Sequence, residues 1–278
     1  MEIISLLILL VISTIIYKFF EKKRIARYQG EYVEQFPYDP PAMAYAYLKS
    51  HGFSKLENLI TYFMLKWIRE KRMIPKTVES KMFKSKENIH FIFPDNFTKG
   101  LHKHELRLIR FFATASKKKG LTERLIYRKV NARSDSIIEW ENQFEKRSLF
   151  QLSKDGIPVA NVNTIFRVMK DVVGQSNIVG TNENQSIDFK GNIYRLKNYL
   201  KEFHELHKGK SVDVEHCDDL LVSAALINMQ NEAWEQFSKV HRHINEQSKF
   251  SKELIQEVEK IANYFKSAVR KRKREKRK

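Results

Sequence analysis

Cysteine is all but absent from this chain. Cys217 stands alone among 278 residues, which excludes an intrachain disulfide and agrees with a reducing compartment. Glycine is nearly as scarce, at nine residues, and no GxGxxG, P-loop, GxSxG or CxxC motif occurs. Chemistry that wraps a phosphate in backbone, or lifts a nucleophile on a tight turn, needs such spacings, so the sequence offers no positive sign of an enzyme. Acid is the third shortage. Thirty-three Asp and Glu face 51 Lys and Arg, leaving a net charge of +18.

Long apolar runs are missing too, with one exception. Ile3 to Tyr17 carries no charge, and Phe19 and Phe20 extend it past Lys18. Roughly 18 residues at about 1.5 Å each reach about 27 Å, close to the hydrocarbon thickness of a bilayer. Its basic residues follow the run instead of preceding it, the reverse of a cleaved secretory signal. The expectation is a retained transmembrane helix with Lys18, Lys22, Lys23, Arg24 and Arg27 on the inner flank. The positive-inside rule then places the N-terminus outside the cell membrane and the remainder in the cytoplasm, as a single-pass protein.

The positive charge is unevenly spread. Lys18–Arg27 contributes +4 and Arg270–Lys278 contributes +7, so the long middle carries only +7. That middle has enough Leu, Ile, Phe and Tyr to bury one or two cores of ordinary domain size.

Along the chain the expected fold is mainly α with small β-ribbons, an α+β arrangement. Residues 1–28 read as anchor and basic flank, and 29–40 as a linker. In 41–100, Pro41 opens a helix that Gly52 ends, and Ser54 to Glu57 has the spacing of a capping box. A second helix follows with Leu56, Leu59, Ile60, Phe63 and Trp67 on one face. MIPKTV and NIHFIF then read as strands around the loop ESKMFKSKE, the outline of a winged helix. Residues 101–162 suggest a second winged-helix-like unit, with helices at HELRLIRFFA and LTERLIYRKV. A capping box at Ser136–Glu139 and a hairpin of RSLFQLS and IPVANV about the turn Lys154-Asp155-Gly156 complete it. Residues 163–269 read as a helical bundle entered by a polar connector, and 270–278 as a frayed basic tail without an apolar residue to pack.

Two segments carry a resemblance. Pro40, Pro41 and Ala42, and the late-helix residues Leu221, Ala224, Ala225 and Leu226, resemble the cytoplasmic part of the YciQ-like family of predicted bacterial membrane proteins. That family is a domain of unknown function, with an acidic-Pro-Pro-Ala opening and a Tyr-Leu-x-Tyr-Ala-x-Ala-Leu-Gly core. Its Trp is absent here and Asn228 occupies the Gly slot. The resemblance spans roughly residues 18–245 and implies a cut-down member with one span. It implies no catalytic residue.

Other clusters are weaker. His204-Glu205-Leu206-His207 is one residue short of HExxH; histidines three apart leave a metal site possible, but a solvated helix face is the expectation. His102/His104 and His241/His243 alternate, which separates them on a helix. Glu215 to Asp219 gathers potential ligands around Cys217, but acids at a helix N-terminus are favoured by its dipole. The expectation is no catalytic, metal or cofactor site. Binding partners remain: anionic lipid at Lys22, Lys23, Arg24, Arg27 and Arg270, Lys271, Arg272, Lys273, Arg274, and an unidentified protein partner for a scaffold-like cytoplasmic region. The alternative is nucleic acid, with Lys81, Lys84 and Lys86 of the wing as the contact for it or for a protein.

Overall fold

The computed structural model describes residues 12, 28–79, 87–116, 120–157, 183–241 and 244–276. A 3-10 turn at Pro41–Ala44 runs into α1 (Tyr45–Ser50) and then α2 (Leu56–Arg69). The hairpin β1 (Ile74–Glu79) and β2 (Glu87–Ile92) follows. After it come α3 (Lys103–Ala113), α4 (Glu123–Ala132) and α5 (Ser134–Lys154). The C-terminal helices are α6 (Glu183–Leu206), α7 (Val214–Leu226), α8 (Gln230–Val240), the short α9 (Ile244–Gln247) and α10 (Lys252–Glu275).

The centre is α2. Eleven of its 14 residues are buried, more than the single face that periodicity marks, because α7 and α10 both pack along it. A helix apolar on every side belongs inside a protein. Around it α5 covers α1, and α8 joins α6 to α7. One continuous core runs from Ala42 to Val269. Its middle is a chain of aromatic rings: Phe63 stacks on Trp67 at 5.8 Å, Trp67 meets Phe112 edge-on at 5.6 Å, and Phe112 stacks on Phe265 of α10 at 5.3 Å.

The hairpin forms where MIPKTV and NIHFIF place it, with Ile74 opposite Ile92 and Glu79 opposite Glu87. Phe91 makes one further bridge to Leu121, ahead of α4. Gly120 permits it: its φ is +95°, and a Cβ there would lie 3.1 Å from the Phe91 carbonyl oxygen. The wing loop with Lys81, Lys84 and Lys86 lies outside the described residues.

Several expectations need correction. Among the described residues no helix is long and apolar enough to cross a membrane. The central helix α2 spans only about 21 Å at 1.5 Å per residue, and protein covers it. The long helices α6 and α10 expose charged faces. The transmembrane helix, single-pass topology, outside-to-inside orientation and membrane localisation are therefore not supported, and the run that suggested them lies, but for Ile12, outside the described residues.

The second winged-helix unit does not form. The segment RSLFQLS is the end of α5, where Phe144, Ser148, Leu149 and Leu152 are buried at helical spacing. Asp155 and Gly156 close that helix, Gly156 at φ +74°. IPVANV lies mostly outside the described residues. The capping box at Ser136 is likewise interior to α5, which starts at Ser134.

At α2 the cap is one residue later than expected. The Lys55 amide donates to Asn58 Oδ1 at 3.0 Å, while Ser54 Oγ is buried without a partner. Residues 183–191, read as connector, are already α6. The segment 28–40 lacks regular structure yet is fastened to α6: Tyr28 stacks on Tyr194, its carbonyl accepts from Asn198 Nδ2 at 2.7 Å, and Glu31 pairs with Arg195 at 2.6 Å.

Candidate functional site

The histidine and acid clusters resolve into structural roles. His207 stacks on Phe203, with Nδ1 2.9 Å from the Phe203 carbonyl and Nε2 3.4 Å from the Tyr199 hydroxyl. His204 contacts Glu205 at 3.0 Å instead of facing His207. Burial pushes the Cys217 thiol up to about 12, so it is not a nucleophile near neutral pH. Asp218 is also raised by burial, and it accepts from Ser248 Oγ at 2.5 Å and from the Lys249 amide at 3.1 Å. Among the described residues no group of three or more His, Cys, Asp or Glu could hold a metal ion.

The buried carboxylates hold the helices together. Glu105 accepts from Lys66 Nζ at 2.6 Å and Trp67 Nε1 at 2.9 Å, tying α3 to α2. Glu141 of α5 accepts from the Tyr45 hydroxyl at 2.8 Å and Lys49 Nζ at 2.7 Å, tying α5 to α1. Each of these acids is already satisfied by two donors.

The C-terminal helix is different. Ser251 caps its N-terminus, accepting from the Leu254 amide at 3.2 Å. Leu254, Ile255, Val258, Ile261, Ala262, Phe265, Ala268 and Val269 bury one face. The apolar residues then stop, but the helix continues to Glu275, which corrects the frayed tail. The reason is ionic. Arg272 reaches Asp135 of α5 with Nε at 2.9 Å and NH2 at 2.7 Å, and Lys276 Nζ reaches the other oxygen at 2.8 Å. Hydrogen bonds from Arg272 and then Lys276 hold the Asp135 carboxyl well below the usual range. Cations near a helix C-terminus are also favoured by its dipole.

The five contacts expected at this end of the helix, Arg270 to Arg274, thus divide by role. Arg272 anchors the helix end. Arg270, Lys271, Lys273 and Arg274 are exposed, and no described carboxylate pairs with them. One shallow depression is lined by Ser267, Arg270, Lys271, Arg274 and Glu275. A second lies between α10 and α4, with Asn131, Ala132, Lys271 and Arg272 in its wall. Helix α4 adds Arg124 and Arg128, both exposed and without an ion-pair partner among the described residues. Lys22, Lys23, Arg24 and Arg27 lie outside the described residues. Anionic lipid as the partner of this face is not supported either, because it depends on a membrane-spanning helix and none is present among the described residues.

Sequence reasoning missed Arg124, Tyr127, Arg128 and Asp135. The signal was present in LTERLIYRKVN, where Arg124, Tyr127, Arg128 and Asn131 share the polar side at helical spacing.

The segments that carried the family resemblance are core. Ala42, Leu221, Ala224, Ala225 and Leu226 are buried, and the turn at Pro41–Ala44 contacts α7. Asn228, in the Gly slot, has φ +58°, a left-handed conformation that Gly and Asn adopt most readily. No family model, no curated protein and no solved structure matches the chain.

Proposed function

We propose that this chain is a non-enzymatic nucleic-acid-binding protein whose contact face is the last two turns of α10 with the adjoining side of α4. The observation that carries the reading is the contrast at the helix end. Arg272 and Lys276 are spent on Asp135, which fixes the helix, while Arg270, Lys271, Lys273 and Arg274 have no acidic partner among the described residues. Cations fixed on a helix meet a row of phosphates with less ordering cost than a free tail would. Binding through phosphates needs no pocket and no base-reading helix, in keeping with an α2 too deeply buried to enter a groove.

The test is charge reversal at two exposed residues outside the core. Lys271→Glu with Arg274→Glu should weaken binding of a labelled nucleic acid on the order of tenfold to a hundredfold, read by fluorescence anisotropy. The melting temperature should change little, because neither side chain contributes to the core and only a favourable charge at the helix end is lost. Wild-type affinity in the double variant would overturn the reading.

A further inference from the structure

Beside the cationic array stands a ring. Tyr127 of α4 is 50% exposed, with its ring edge-on to Tyr264 of α10 and centroids 5.0 Å apart. Tyr264 is held in place, its hydroxyl donating to Glu123, which also receives Lys260. One side of Tyr127 therefore has a fixed aromatic neighbour, and the remainder faces solvent. Arg124 and Arg128 flank it on its own helix, both exposed. Asn131, one turn on, donates to the Tyr127 carbonyl at 2.9 Å and lines the depression that Lys271 shares. Along α10, Lys260, Tyr264, Ser267, Lys271 and Arg274 follow one stripe, so the ring and the cations lie on one continuous surface.

An exposed ring among guanidinium and ammonium groups suits an unpaired base better than a duplex. A base in a single strand has free faces to stack on an aromatic ring while its phosphates meet cations. Bases in a duplex are already stacked and paired, and offer the ring nothing.

We infer that the α4–α10 face takes single-stranded nucleic acid, with Tyr127 stacking on one base and Arg124, Arg128, Lys271 and Arg274 contacting the neighbouring phosphates. This rests on the nucleic-acid reading above and narrows it to one class of ligand. Stacking on an aromatic side chain tolerates any base, so the preference is for strandedness and not for sequence.

The test uses the full chain with a labelled mixed-sequence strand of about 15 nucleotides and with the duplex of the same sequence. The single strand should bind tighter than the duplex. Tyr127→Ala should weaken the single strand about tenfold and leave the duplex unchanged, and Tyr127→Phe, which keeps the ring, should change neither. Equal affinity for the two forms, or single-strand binding insensitive to Tyr127→Ala, would overturn this inference and leave the phosphate-binding face standing. Binding of neither form would overturn both.

Discussion

Trp67→Ala should remove about 4 kcal/mol of folding stability, a large part of the 5–15 kcal/mol typical of a whole domain. Trp67 is fully buried and lies where α2, α3 and α10 meet through Phe63, Phe112 and Phe265. Truncation leaves a cavity that none of these rings can fill without leaving its own partner. It also removes the 2.9 Å bond to Glu105, which keeps only Lys66. Trp67→Phe retains a ring and should cost less than half as much. Urea unfolding followed by circular dichroism checks both. A loss under about 1 kcal/mol for Trp67→Ala would mean that the three helices do not share this core.

Alkali should unfold the protein steeply from about pH 10. Burial pushes the phenols of Tyr45, Tyr62 and Tyr199 above their ordinary 10.0, Tyr45 further through Glu141 and Tyr62 through Glu105. An acid whose folded pKa exceeds its unfolded one keeps its proton in the native state after the unfolded chain has released it. Stability therefore falls as pH rises above the unfolded value. Lys49 acts in the same direction. Burial lowers its pKa, but Glu141 and Glu145 more than reverse that, so its folded pKa exceeds 10.5 and its contribution is lost as pH rises through that raised value. The urea midpoint should drop continuously between about pH 9 and pH 11, and Tyr62→Phe should make the drop shallower. A midpoint constant across that range would contradict the buried placement of these tyrosines.

The parts of this fold that could be read in the sequence are those held by local chemistry. The apolar positions of α2 recur at helical spacing, Gly52 closes α1 at φ +74°, and the hairpin follows from two β-rich runs. The failures share a cause in distant partners. RSLFQLS alternates well enough to pass for a strand, and only the packing of Ser148 onto the Ala46 amide at 2.9 Å and the Met43 carbonyl at 2.5 Å shows why it is helical. Arg270–Lys276 contains nothing apolar, so it reads as unable to pack, yet Asp135 fixes it across 137 residues. Tyr127 was overlooked for a similar reason. Its place on the polar side of α4 is readable from the spacing, but the neighbouring Tyr264 that marks it out comes from a helix distant in sequence.

Binding of the single strand by the unmodified full chain, measured by anisotropy across a potassium chloride series from about 50 to 300 mM, tests the phosphate-binding face most directly. About four phosphate contacts from α4 and α10 predict that log Kobs falls linearly with log salt concentration, at a slope of about −3. No binding at the lowest salt, or an affinity that stays constant across the series, would contradict it.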